Sequence, residues 1–111
     1  MNKKKLYLPY EALTATNKSI DFKFSLNKNT ESPININVIL NLLLNVLSKE
    51  IKILNPSNGD IIQALCMIIV IRSKMIDYNF EKIEKIVKET LDTAFKDGGN
   101  AIVKQSKHGN T

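Results

Sequence analysis

The sequence predicts an α+β fold, mainly α, in which a short N-terminal β-ribbon precedes three helices and two chains pack as a homodimer. Three observations support this prediction: an alternating apolar and polar segment near the N-terminus, two long apolar segments separated by a turn, and a charged amphipathic segment. With 111 residues, 43% of them hydrophobic, the chain has the size and composition of one folded domain. We therefore predict a single domain over residues 1–103 and a disordered polar tail over residues 104–111.

The β-ribbon is predicted from residues 19–27, where apolar and polar side chains alternate with the period of a half-buried strand. The apolar positions are Ile20, Phe22, Phe24 and Leu26. A single strand leaves its backbone groups unpaired, so it needs a neighbour. Residues 4–8 of the same chain are one candidate neighbour, across a loop of about ten residues. The same strand of a second subunit is the other.

The first helix is predicted over residues 33–54. Ser32 can cap it, and Pro33 suits the first helical position. Its polar side chains recur every three or four residues and form one narrow stripe. They are Asn37, Asn41, Asn45, Lys49 and Lys52. Most of the other residues are apolar, so the apolar face is wider than the stripe of about 100° that is typical of a surface helix.

The second helix is predicted over residues 59–77, after a turn that contains proline and glycine. Ser57, followed three residues later by Asp60, resembles a capping box. The run over residues 64–71 is apolar on every side, which also fits a buried strand; length and the cap favour a helix. A helix without a polar face must be surrounded, so we expect it to be the central element of the fold.

The third helix is predicted over residues 79–97, with Asp77 or Asn79 as its cap and Gly98 and Gly99 at its end. Three pairs spaced i,i+4 are expected to form ion pairs on its outer face, namely Glu81–Lys85, Glu84–Lys88 and Asp92–Lys96. Its apolar stripe consists of Phe80, Ile83, Val87, Leu91 and either Ala94 or Phe95.

The net charge of +5 does not indicate a basic binding face. Five lysines lie in the two terminal segments, and the remaining positive charges are balanced by the acidic residues. These lysines are Lys3, Lys4, Lys5, Lys104 and Lys107. Basic ends on a neutral body are typical of solubilising tails, so we expect nucleic acid to be an unlikely partner.

The remaining composition predicts a soluble, cytoplasmic protein. A single cysteine excludes an internal disulfide and fits a reducing compartment. Pro9 and Glu11 interrupt the N-terminal segment where a signal peptide needs an apolar core. The apolar stretch over residues 61–71 is about half as long as a membrane span. The abundance of Ile, Asn and Lys is typical of A/T-rich codons and indicates an A/T-rich bacterial or phage genome.

No catalytic, cofactor-binding or metal-binding residue is predicted. His108 lies in the polar C-terminal segment, where nothing holds a general base or a ligand rigidly. Cys66 lies within the most apolar helix, where a thiol behaves as a small hydrophobe. The segment over residues 58–60 is read as a turn with a helix cap, because the other residues of a phosphate loop are missing.

Two functions remain as alternatives. A strand followed by helices is the order of ribbon-helix-helix proteins, in which Asp21, Lys23 and Ser25 would face the bases. The candidate nucleic-acid contacts of this alternative are Lys3, Lys4, Lys5 and Lys23. The loop before the first helix is long for that motif, and the neutral body attracts phosphate weakly. The second alternative is an enzyme or ligand-binding protein with a site between helices or subunits.

The surplus of apolar surface predicts self-association. The third helix offers a one-sided stripe to cover two helices with wide apolar faces, so a second copy is the simplest cover. The candidate dimer interface consists of Ile39, Leu43, Val46, Leu47, Leu65, Ile68, Ile69 and Ile71. We therefore expect a small oligomeric interaction or regulatory module that acts by protein–protein contact.

Overall fold

The computed structural model describes residues 6–105, and it confirms an N-terminal antiparallel β-hairpin followed by three helices. The elements are β1 (Tyr7–Leu13), β2 (Lys18–Ser25), α1 (Pro33–Leu54), α2 (Asn58–Met75), α3 (Phe80–Gly99) and β3 (Ile102–Gln105). The chain divides into two units. Unit 1 contains the strands and the end of α3 from Glu89, and unit 2 contains α1, α2 and the start of α3 as far as Lys88.

The hairpin pairs β1 with β2 from Tyr7 opposite Ser25 to Leu13 opposite Ser19. Four residues join the strands, rather than the expected ten. The Thr14 amide donates to the Lys18 carbonyl at 2.8 Å, and Asn17 adopts a φ of 60°, which asparagine tolerates better than most residues. Of the two candidate neighbours for β2, the segment of the same chain is therefore the one that pairs.

The position of β1 differs from the prediction. The strand continues through Pro9 to Leu13, whereas the sequence predicts an extended segment over residues 4–8 that ends at this proline. Proline lacks an amide hydrogen, but β1 is an edge strand, where one side of the backbone needs no ladder partner. The proline therefore fits within the strand.

A third strand, β3, pairs antiparallel with β2, so that β2 is the central strand of the sheet. This strand was not predicted from the sequence. It reaches Gln105, two residues into the segment expected to be a disordered tail; the rest of that segment lies outside the described residues. Because β2 has a neighbour on each side, it has no edge left to pair with a second subunit.

Helix α1 has the predicted bounds, Pro33–Leu54. Asn55 follows the helix with a φ of 48°, and its amide donates to the Ile51 carbonyl at 2.8 Å. An asparagine in this left-handed conformation is a common helix C-terminus.

Helix α2 begins at the predicted cap: the Ser57 hydroxyl accepts a hydrogen bond from the Asp60 amide at 3.2 Å. The helix ends at Met75, two residues before the predicted end. The expectation that α2 is a surrounded central element stays a prediction for the dimer, because the single chain does not cover α2. Nearly all of its side chains are exposed, because α1 does not pack closely against it.

The Ser57 cap gives a direct test of the start of α2. Ser57→Ala removes the acceptor for the Asp60 amide, and we expect the free energy of unfolding to fall by about 1 kcal/mol. Ser57→Asn, which restores an acceptor, serves as the control in urea unfolding followed by circular dichroism. An alanine variant as stable as the asparagine variant would show that this cap contributes nothing.

Helix α3 begins after Asn79, whose side-chain oxygen accepts the Lys82 amide at 3.0 Å, and this identifies the cap between the two candidates. The two glycines lie inside its last turn rather than beyond it. Of the apolar stripe, Ile83 is buried, and Phe80, Val87 and Ala94 are partly buried. Leu91 and Phe95 are 40% and 72% exposed, so the predicted stripe is interrupted at Leu91, and Ala94 rather than Phe95 belongs to it.

Glu84 and Lys88 form one of the three expected ion pairs of α3, with a separation of 2.6 Å. This contact raises the pKa of the Lys88 amine, first by the hydrogen bond and then by the attraction of the carboxylate. Within residues 6–105, the side chains of the other two expected pairs, Glu81–Lys85 and Asp92–Lys96, are not within ion-pair distance. Exposed pairs of this kind are often open, since holding two long side chains together costs conformational entropy.

Few side chains are buried over residues 6–105. The buried apolar residues are Leu8 and Ile83, and the buried polar ones are Ser19 and Ser73. Both serines are hydrogen-bonded, as burial requires: Ser19 donates to Glu11 at 2.7 Å, and Ser73 donates to the Ile69 carbonyl at 2.7 Å.

Candidate interaction surface

The most unusual feature of unit 2 is an exposed set of large apolar side chains on α1 and α2, which we call the apolar helical surface. On α1 they are Ile34, Val38, Ile39, Leu42, Leu43, Leu44, Val46, Ile53 and Leu54. On α2 they are Ile62, Leu65, Met67, Ile68, Ile69, Val70, Ile71 and Met75. Large apolar side chains exposed in this number on two consecutive helices are rare on a soluble monomer and indicate a binding surface.

The apolar residues of α2 are exposed around the whole helix. Ile69 and Ile71 are 36% and 58% exposed, and at 3.6 residues per turn they lie about 160° apart on the helix circumference. Leu65 lies beside Ile69, and Met67 lies on the side of Ile71. No side of α2 therefore forms a continuous polar face, and each side can contact another apolar surface.

Helix α1 has three distinct stripes. Ile36, Leu40, Leu47 and Ile51 are partly buried and share one face. Beside them lies an exposed apolar stripe that includes Ile39, Leu42, Leu43 and Val46. The third, the asparagine stripe, consists of Asn37, Asn41, Asn45, Ser48 and Lys52. Unlike α2, α1 thus has one side suited to water.

The eight residues predicted as a dimer interface all lie on these two helices. Seven of them are exposed, and Leu47 is partly buried because it belongs to the first stripe of α1. Several equally exposed residues lie outside the predicted interface, among them Leu42, Met67 and Val70. Met67 and Val70 belong to the apolar run over residues 64–71, which already indicated them, whereas the predicted interface consists mostly of Ile and Leu.

A groove of about 620 Å³ lies within unit 1, between the end of α3 and the sheet. It is lined by Tyr7, Asp21, Phe22, Lys23, Ser25, Thr93, Lys96, Asp97, Asn100 and Ile102. Several of its polar groups already have partners: Asp97 accepts the Ser25 amide at 2.7 Å, and the Lys23 amine lies 4.5 Å from the centre of the Tyr7 ring. The first contact joins α3 to the sheet, and the second links the two strands β1 and β2.

The Asp97–Ser25 contact should contribute measurably to unit 1. Asp97→Ala leaves the Ser25 amide without its acceptor, and we expect a loss of about 1–3 kcal/mol in the free energy of unfolding. Asp92→Ala, on an exposed part of the same helix, is the matched control and should change it by less than about 0.5 kcal/mol. Equal effects of the two variants in urea unfolding would contradict this role.

The sheet face that carries Lys23 is electrically mixed. Lys104 contacts Asp21 at 2.7 Å, and its pKa is raised first by that hydrogen bond, then by the attraction of Asp21 and, more weakly, of Glu11. A raised amine pKa stabilises the fold at neutral pH, and this contribution is lost as the pH rises through the folded-state value. Of the candidate nucleic-acid contacts, Lys23 lies over Tyr7, and Lys3, Lys4 and Lys5 lie outside the described residues.

The residues considered for catalysis or metal binding are placed as follows. No three His, Cys, Asp or Glu side chains come together there as metal ligands. Cys66 is exposed rather than covered, which corrects the expectation from its apolar surroundings, and the reason is the open position of α2. His108 lies outside the described residues.

Within the described residues, α1 is long and apolar enough to cross a membrane by length and composition alone, and none of that segment is buried. The asparagines of α1 lower its mean hydropathy, and the longest apolar stretch of the sequence lies elsewhere, over residues 61–71. Core helices of soluble proteins also meet this criterion, so the criterion does not identify the environment of α1.

The comparisons with known proteins add no further identification. No protein-family model matches the chain, and no curated protein or solved structure is significantly similar to it. The apolar helical surface is thus the feature on which an assignment of function rests.

Proposed function

We propose that this chain is a small cytoplasmic interaction module that acts by protein–protein contact through the apolar helical surface, and that it is oligomeric. The observation that carries the proposal is the exposure of α2 on opposite faces, at Ile69 and Ile71. Leaving such side chains in water is unfavourable by about 25 cal/mol per Å² of apolar area, so a partner that covers them binds with a large driving force.

A protein partner suits this surface better than a lipid bilayer. Asn45 lies in the central turns of α1, and Asn37 lies about two turns before it, so a membrane-spanning helix would place both in hydrocarbon. An amide that enters hydrocarbon without a hydrogen-bond partner costs several kcal/mol. At the surface of a protein assembly, the same side chains remain in water at no such cost.

A protein partner also suits the chain better than nucleic acid. Strand β2 is paired on both sides, so two subunits have no free β2 edge with which to build the intersubunit ribbon of a ribbon-helix-helix dimer. Asp21 and Glu11 lie on the sheet face with Lys23 and Lys104, and their carboxylates oppose the attraction of phosphate.

Sedimentation equilibrium in lipid-free buffer tests the proposal. We expect an assembly of defined stoichiometry at micromolar concentration, with circular dichroism showing that α1 and α2 are helical. A monomer that retains this helicity would contradict the proposal. So would flotation of the chain with neutral lipid vesicles, or binding to DNA or RNA that weakens steeply with added salt.

A further inference from the structure

We propose that the partner is a second copy of this chain, with α2 at the centre of a four-helix dimer core and the asparagine stripe of α1 facing water. This inference rests on the proposed function and names both the occupant of the apolar helical surface and the arrangement of its helices.

The extent of the surface matches what a stable dimer needs. Burying one Leu, Ile, Val or Met side chain removes on the order of 100 Å² from water, and those of the apolar helical surface are about half exposed. Together they offer roughly 1000 Å² per chain, or about 2000 Å² for two copies, which is the range of obligate homodimers. A peptide-sized partner would leave much of this area uncovered.

The difference between the two helices determines the arrangement. Because α2 is apolar on opposite faces, contact along one face by a single neighbouring helix leaves Ile69 or Ile71 in water. Two copies bring together two α1 and two α2 helices, enough to surround each α2 on several sides. Helix α1 has a polar side and therefore suits the outside of such a core, with Asn41 and Asn45 exposed.

Four alanine variants of the full chain test this arrangement, with the dimer dissociation constant measured by sedimentation. Ile69→Ala and Ile71→Ala make the same change on opposite faces of α2. Leu43→Ala and Asn45→Ala compare the exposed apolar stripe of α1 with its asparagine stripe. Hydrogen exchange of the β1–β2 amides verifies that each variant keeps the fold of unit 1.

We expect Ile69→Ala, Ile71→Ala and Leu43→Ala each to weaken the dimer by about tenfold or more, and Asn45→Ala to weaken it by less than about threefold. A wild-type dimer in which only one of the two α2 variants has an effect would overturn the central position of α2. An effect of Asn45→Ala as large as that of Leu43→Ala would overturn the outward asparagine stripe. Wild-type trimers or larger assemblies would overturn the second-copy core, whereas a helical wild-type monomer would contradict the proposed function itself.

Discussion

A hundredfold increase in protein concentration is expected to raise the melting temperature of this chain by about 5 °C. The free energy by which association stabilises the folded state grows by RT times the natural logarithm of the concentration ratio. For a factor of 100, this is about 2.7 kcal/mol. The unfolding entropy of two chains of this length converts that free energy into the stated shift. The effect follows from the exposed apolar side chains of α1 and α2, which the unfolded chain cannot bury in a partner.

Differential scanning calorimetry or circular dichroism at two concentrations measures the shift. The helical signal at low temperature should also decline on dilution, because isolated helices derive most of their stability from packing of their apolar faces. The control is a scan-rate series that excludes irreversible unfolding. A melting temperature that is independent of concentration would argue against association through these helices.

The second large effect is expected at Leu8, the buried apolar residue of β1, which is 9% exposed. Leu8→Ala removes most of a packed side chain from unit 1 and leaves a cavity. We expect the free energy of unfolding to fall by about 2–4 kcal/mol, measured by urea unfolding at a fixed protein concentration.

Leu13→Ala is the matched control for Leu8→Ala. The same substitution is made in the same strand, but Leu13 is 62% exposed and pairs opposite Ser19 at the far end of β1. We expect a change of less than about 0.5 kcal/mol. If both substitutions cost the same, the burial of Leu8 would not be the source of its contribution.

The helices were predictable because their signals are local. Pro33 and the polar side chains that recur as far as Lys52 predict the bounds of α1, and Ser57 with Asp60 predicts the start of α2. These signals depend on neighbouring residues that lie within one or two helical turns, so the rest of the fold does not alter them.

The sheet was only partly predictable because its pairing is not local. The alternation in β2 predicts a strand, but it does not show that Pro9 lies inside β1 or that Ile102 and Val103 supply a third strand. Asp21 and Ile102 are far apart in sequence, and neither residue signals the other. Short apolar segments such as the one before Lys104 are equally typical of an irregular tail.

The candidate surface was predictable in its location but not in its exposure. The run that surrounds Cys66 is apolar on all sides, and from this the sequence analysis predicted that α2 is covered. Whether the same chain or another supplies the cover depends on how closely α1 and α2 pack, which the pattern of one helix does not reveal. The structure leaves α2 exposed within one chain, and covering by a second copy stays a prediction.

The layout of the strands bears on whether further chains can add to the sheet. One edge strand, β1, contains Pro9, which cannot donate a backbone hydrogen bond. The other edge strand, β3, has four residues and carries Lys104. Short, charged or proline-containing edges are poor templates for the addition of further strands. Edge-to-edge addition of strands from further chains is thereby discouraged.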